Sequence, residues 1–240
     1  MIIIGNGRLI TRNAAEPYYE NGAVVTENEL IKETGTTAEM RLKYPDAEFV
    51  DAKGGVIMPA FINAHTHIYS ALARGLSIAG YNPTNFYEVL DGMWWKIDRS
   101  LTLEDTRRSA YTTIIDCIKT GCTTIFDHHA SFCQIEGSLF AIADAAKALG
   151  IRACLCYEVS ERDGEKKCDE SIEENKSFID HCERENDPML KAMFGGHALF
   201  TIGDKTFEKC VKANGGRTGF HIHVCEGMND VYDSMKNYGW

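Results

Sequence analysis

From Val56 onward the chain alternates strand-like apolar runs with helix-like segments, and this alternation restricts the fold more than any other feature. Val56–Ile62, Thr123–Phe126, Arg152–Val159, Leu190–Phe194 and Thr218–Val224 are compact apolar runs of strand length. The segments between them have helical spacing and recognisable ends. Thr102 and Asp105 form a T-x-x-D start, Ala110, Ile114, Ile115 and Ile118 recur at helical spacing, and Gly121 sits where a C′ glycine belongs. Further helices are expected over Glu136–Leu149, Lys167–Arg184, Thr206–Ala213 and Met228–Asn237. Strands alternating with helices imply parallel βαβ units. That leaves an open doubly wound sheet or a (β/α)8 barrel. The glycine-rich fingerprint of a dinucleotide-binding sheet is absent after the first strand, where Asn63-Ala64-His65-Thr66-His67 stands instead. The expectation is an α/β chain built as an incomplete (β/α)8 barrel of TIM type, with about five βα units.

Residues 1–54 read differently. Ile2-Ile3-Ile4, Ala23-Val24-Val25 and Phe49-Val50 are short apolar runs separated by Gly, Asn and charged turns, the pattern of a small β module. Two domains are therefore expected, 1–54 and 55–240. The chain carries 25 Lys and Arg against 35 Asp and Glu, a net charge of −10. That disfavours nucleic acid and anionic membrane as partners, since both select basic surfaces. Its apolar runs fall short of the ~18–20 residues of a membrane span. The N-terminus shows no basic segment or cleavage site of a secretory signal. Nine scattered Cys read as reduced thiols of a cytoplasmic protein. The last residues, Asn237-Tyr238-Gly239-Trp240, end a predicted helix, so a truncated chain is expected.

His65 and His67 are the sharpest chemical signal. Residues i and i+2 of a strand share a face, so two imidazoles there can hold one metal ion. They follow the first predicted strand, at the end where parallel α/β folds place their sites. A later partner lies in His221-Ile222-His223-Val224-Cys225-Glu226. His223 is nearer the C-terminal end of the fifth strand and is the better ligand, with His221 expected as a buried interior residue. Glu226, just past that strand, stands where a general acid/base would reach a water on the metal. The alternative for Glu226 is a first-turn helix residue.

Pro59-Ala60-Phe61-Ile62-Asn63-Ala64-His65-Thr66-His67 resembles the first-strand motif of the amidohydrolase superfamily. Arg74-Gly75, Gly121-Cys122-Thr123-Thr124, Gly196-His197-Ala198 and the His223-x-x-Glu226 spacing are similar to its cytosine, guanine and adenosyl-type deaminase branch. Trp94-Trp95-Lys96-Ile97-Asp98, Leu101-Thr102-Leu103-Glu104-Asp105 and Asp127-His128-His129-Ala130-Ser131 resemble the SsnA group of aminohydrolases within it.

The resemblance implies one divalent metal ion, zinc first and iron or manganese otherwise, held by His65, His67 and His223. It implies attack of an activated water on an amidine-like carbon of a nitrogen heterocycle, with Glu226 moving the proton and ammonia leaving. His197 is expected to touch substrate, one of His128 and His129 to line the pocket, and Trp94 or Trp95 to stack on a planar ring. Asp127 either orients a ligand imidazole or caps a strand end. Arg74 is expected to fix a loop. Lys191 lies at the wrong end of its strand to bridge two metals, hence a single ion. The family's later His and Asp would follow Trp240, and residues 1–54 would form half of a composite β-sandwich. Alternatives are a chloro- or amide-hydrolase of the same fold, or a non-catalytic short form. A homodimer is the default assembly.

Overall fold

The computed structural model describes residues 1–239, which divide into two compact units, Met1–Ala60 and the residues from Phe61 onward. The first unit holds β1 (Ile2–Ile10), β2 (Tyr18–Glu27), β3 (Leu30–Thr36), α1 (Thr37–Lys43), β4 (Glu48–Asp51) and β5 (Val56–Ile57). They form one sheet in the order β3-β2-β1-β4, with β5 also on β1. β1 pairs antiparallel with β2 and parallel with β4 and β5. Along β1, buried residues alternate with less buried ones, as a sheet covered on one face requires. Ile3, Ala23, Val25 and Met40 form the core between sheet and helix. Thr36 starts α1 with a reciprocal cap, its hydroxyl taking the Glu39 N–H while Glu39 takes the Thr36 N–H.

The second unit begins with β6 (Phe61–Thr66). The single strand expected over Val56–Ile62 is thus two elements, β5 and β6. Pro59, which has no N–H to give a ladder, lies between them. After β6 come two short helices, α2 (Phe86–Val89) and α3 (Trp95–Asp98), and then α4 (Leu103–Lys119), β7 (Cys122–His129), α5 (Ser138–Leu149), β8 (Arg152–Tyr157), α6 (Glu165–Glu185), β9 (Leu190–Ala192), β10 (Phe194–Ala198), α7 (Asp204–Asn214), β11 (Phe220–His223) and α8 (Met228–Tyr238). The Thr102/Asp105 box opens α4, and Gly121, at φ 84°, lets the chain turn into β7. Strands β6-β7-β8-β9 form one parallel sheet in sequence order, and β10 pairs parallel with β11. These are consecutive βα units of an incomplete barrel.

The fourth strand differs from expectation in being split. β9 pairs with β8, while β10 leaves that register to pair with β11. Asn175 of α6 fills the gap: its Oδ1 accepts the N–H groups of Tyr157 and Gly195 (2.9 and 3.1 Å), and its Nδ2 donates to the Tyr157 carbonyl (2.8 Å). Gly195 is required there, because a Cβ would lie 2.2 Å from the Tyr157 oxygen. Glu174, also on α6, accepts the Gly137 and Leu139 N–H groups at 2.9 Å and caps α5. The main core, including Ile114, Ile125, Leu139, Leu155 and Phe178, lies between the strands and helices α4 to α6.

Candidate metal centre and cleft

His65 and His67 lie at the C-terminal end of β6, and His223 closes β11. Their ligand atoms lie within 4.8 Å of one another. The remaining nitrogens explain the arrangement. His67 Nδ1 donates to the His128 carbonyl (2.8 Å) and His223 Nδ1 to the His197 carbonyl (3.0 Å). His65 Nδ1 is 2.8 Å from His221 Nε2. His221 is therefore a half-exposed neighbour that holds the His65 ring, not the fully buried interior residue expected.

A neutral imidazole has one proton. With it on Nδ1, the Nε2 atoms of His67 and His223 are bare acceptors, and they face each other at 3.3 Å. Two lone pairs at that distance repel unless a cation lies between them. Ligands at ~2.0–2.1 Å around a tetrahedral ion are separated by ~3.3–3.4 Å, so the pair fits zinc-type coordination. Burial, more than neighbouring imidazoles, pushes the His67 pKa down and that of His223 to about 4, which keeps both rings neutral for ligation. The backbone carbonyls that set these tautomers are the outer-sphere partners that metal-binding histidines ordinarily have.

A cleft of ≈ 170 Å³ opens beside this cluster and includes His67, His223, His197, Glu226, Trp94, Trp95 and Glu158 in its lining. His197 is 3% exposed, and its Nδ1 lies 2.6 Å from Thr201 Oγ1. That hydroxyl donates to the Ala198 carbonyl, so it accepts from Nδ1, leaving His197 Nε2 without a protein partner among the described residues. Glu226 stands at the exposed mouth. The helix-start role is taken by Asp230, whose carboxylate accepts the Glu226 and Gly227 N–H groups, so the Glu226 side chain is free of it. Desolvation first, then Asp230 and Glu158, raise its pKa. Cys225, at φ 56°, supplies the left-handed turn between His223 and Glu226.

Trp94 and Trp95 both line the cleft. Trp95 is buried, with the Arg162 guanidinium 5.1 Å from its ring; Trp94 packs edge-on to Tyr69. His128 and His129 do not line it. β7 runs on to His129, beyond the expected end at Phe126, and both imidazoles are fully buried within the sheet. Successive strand residues face opposite sides. His128 enters the interior, its centroid 4.5 Å from that of His223, while His129 bonds Ser131 and packs on Tyr157. Asp127 takes its capping alternative, accepting the Ile68 N–H at 2.7 Å; the His128 carbonyl, not Asp127, orients His67. Arg74 ties its loop to the Ala71 carbonyl and to Asp116.

Sequence reasoning missed Glu158, Arg162 and Asp98. Arg162 lies over Phe132 (4.0 Å to the centroid) and bonds Asp98 (2.5 Å) and Glu158 (3.2 Å), all nearly inaccessible to solvent. Burial opposes the charge on Glu158, but the Arg162 guanidinium at 3.2 Å holds the carboxyl below its ordinary range. Asp98 falls within the Trp94-Trp95-Lys96-Ile97-Asp98 motif without a role, and no local pattern marks Glu158 or Arg162. Glu158 and Arg162 lie four residues apart in the segment after β8, and Asp98 at the end of α3 joins them through Arg162.

The chain is 30% identical over 99% of its length to a 5'-deoxyadenosine deaminase of Methanosarcina barkeri, covering 52% of that protein. It spans about half the length of the curated relatives it matches. Among solved structures, it superposes on a zinc-bound adenosine deaminase from Xanthomonas campestris (TM-score 0.78, 21% identity, 99% of this chain and 52% of that one). It also superposes on a zinc complex of an atrazine chlorohydrolase from Arthrobacter aurescens (TM-score 0.79, 20% identity, 100% and 56%). Residues 22–47 match an imidazolonepropionase-like composite domain of bacteria, and residues 56–240 the amidohydrolase family. The second match takes in every strand and helix of the second unit, and on it this chain belongs to the amidohydrolase family.

Proposed function

We propose that this chain supplies the metal-binding part of an aminohydrolase of the SsnA group, a deaminase that releases ammonia from a small nitrogen heterocycle. The observation that carries the reading is the pair of bare Nε2 atoms of His67 and His223, 3.3 Å apart and each fixed by a backbone carbonyl on Nδ1. His65 completes a three-imidazole set for one divalent ion, zinc first, since the donors also suit iron or manganese. When bound, such an ion is a Lewis acid that lowers the pKa of a water to ~7. Glu226 holds a proton at the mouth of the cleft and delivers it to the ring nitrogen beside the carbon that loses ammonia. Its raised pKa keeps that proton available closer to neutral pH. His197 presents Nε2 to the heterocycle, and Trp94 offers a ring face. His128 and His129 support the site from beneath, His128 through its carbonyl to His67.

The relatives make an aminopurine nucleoside the first substrate to test. The same proposal has residues 1–54 as one half of a composite β-sandwich and 55–240 as the first barrel units. It also has a cytoplasmic homodimer with no nucleic-acid or membrane partner. The test is metal content, on this chain and on a longer reading frame, followed by ammonia release. The expected result is about one ion per chain, lost in His223→Ala, and ammonia from an aminopurine. A folded protein that holds no metal overturns the reading. Chloride release without ammonia would favour the chlorohydrolase alternative, to which the fold is also similar.

A further inference from the structure

Glu158 is an ionised side chain that the proposed chemistry leaves unused. It follows β8 directly, its N–H fixed to the His129 carbonyl at 2.7 Å, and it is 3% exposed. One oxygen, Oε1, accepts from Arg162 at 3.2 Å. The other, Oε2, has no hydrogen-bond partner among the described residues; His128 Nδ1 lies 3.8 Å away, beyond reach. That nitrogen is itself a bare acceptor, because His128 gives its proton through Nε2 to the Gly196 carbonyl at 2.8 Å. A carboxylate oxygen that faces the cleft with no protein donor is open to a ligand that brings one. Arg162 is shared between Glu158 and Asp98, with Asp163 held chiefly by Arg99, and its contact to Glu158 is through Oε1, so Oε2 is left without a cation in hydrogen-bond reach.

We propose that Glu158 is the specificity-determining carboxylate of the cleft: it selects neutral heterocycles or nucleosides that present N–H or O–H donors, and it excludes those carrying a carboxylate or phosphate. The inference rests on the aminohydrolase reading and adds to it the charge of the substrate. Glu158 lines the same cleft as His67, His223, His197 and Glu226, so a heterocycle close enough to the imidazole cluster to react places its far edge or its sugar near Oε2. A donor there makes a charge-assisted bond, whereas an anion meets an acceptor of its own sign, and no Lys or Arg is among the described residues that line the cleft.

The test is calorimetric binding of adenosine and of adenosine-5′-carboxylic acid to the zinc-loaded full chain and to Glu158→Gln. A hydrogen bond to a charged group corresponds to about tenfold or more in affinity. Adenosine should bind at least about tenfold more tightly than its carboxylate. Glu158→Gln should weaken adenosine and bring the two within about threefold. Glu158→Asp keeps the charge but withdraws the oxygen, so adenosine should weaken while the preference against the carboxylate stays; it serves if Glu158→Gln does not fold. An unchanged preference in Glu158→Gln overturns the proposal and leaves Glu158 as a partner of Arg162 alone. Binding of neither ligand overturns it as well. Zinc content measured on the same samples separates this failure from failure of the metal site, since Glu158→Gln should still bind the ion.

Discussion

The two units bury different things. In the first, Thr37 is the only buried polar residue, and Ile3, Ala23, Val25 and Met40 are packed by simple alternation and one helix. The second buries Asp127, His128, His129, Glu158 and His197 at or just past its strand ends, and Asp98 and Glu174 on helices. Buried ionisable groups are destabilising unless each finds a partner, so they concentrate where a site requires them. The first unit buries no ionisable side chain. The second accepts electrostatic cost at the C-terminal ends of its strands, which is where the imidazoles converge.

Damage to the first unit should be purely structural, because it buries no ionisable group. Ile3→Ala removes a side chain that is 1% exposed and should cost about 2–5 kcal/mol in thermal or denaturant unfolding, with metal content unchanged. Loss of metal in this variant breaks the comparison. In the second unit the sharpest structural test is Asn175→Ala. It strands the Tyr157 and Gly195 N–H groups and the Tyr157 carbonyl, and should cost about 3 kcal/mol or more. Because Gly195 leads into His197, metal-site spectra should shift too; a normal site with lowered stability would separate the splay from the centre.

A smaller effect concerns acid. Burial pushes the His129 pKa down to about 3, so as pH falls the unfolded chain takes up this proton before the folded one. This contribution to stability is complete above the ordinary histidine value of about 6.5 and is lost as pH falls from there toward about 3, by up to ~1.4 kcal/mol per pH unit. In His129→Gln the slope of stability against pH should flatten by that amount, and an unaltered slope would remove His129 from the account. The smallest effect is Cys225→Gly. It relieves a left-handed φ of 56° and should stabilise α8's start by ~1 kcal/mol, measured as a rise in melting temperature.

Much of the fold is legible in the amino-acid order. Helix α4 starts and ends where Thr102, Asp105 and Gly121 place it, because caps and left-handed glycines act within one turn. The strand boundaries are less legible. Val56–Ile62 reads as one apolar run, yet β5 and β6 pair with different partners. Leu190–Phe194 likewise belongs to two ladders, a division set by Asn175 on a helix that precedes it in the chain. In the site, His65, His67 and His223 could be read from period-two spacing and position, but the burial of His128 and His129 could not. That depends on β7 continuing three residues beyond its apolar run, paired with β8 up to Tyr157.

Residue order alone sets the alternation of strands and helices, the net negative charge, and the placing of two imidazoles on one face of the first barrel strand. These follow from periodicity, capping and composition, which act over a few residues or over the chain as a whole. Which nitrogen of His67 and of His223 faces the centre depends on the fold, because the choice belongs to the carbonyls of His128 and His197, 61 and 26 residues away in the chain. The fold also turns Glu158 toward the cleft, with Arg162 beside it and Asp98 of α3 on the same guanidinium. A tautomer and a pKa are set by whatever lies within a few ångströms, and distance along the chain does not reveal what that will be.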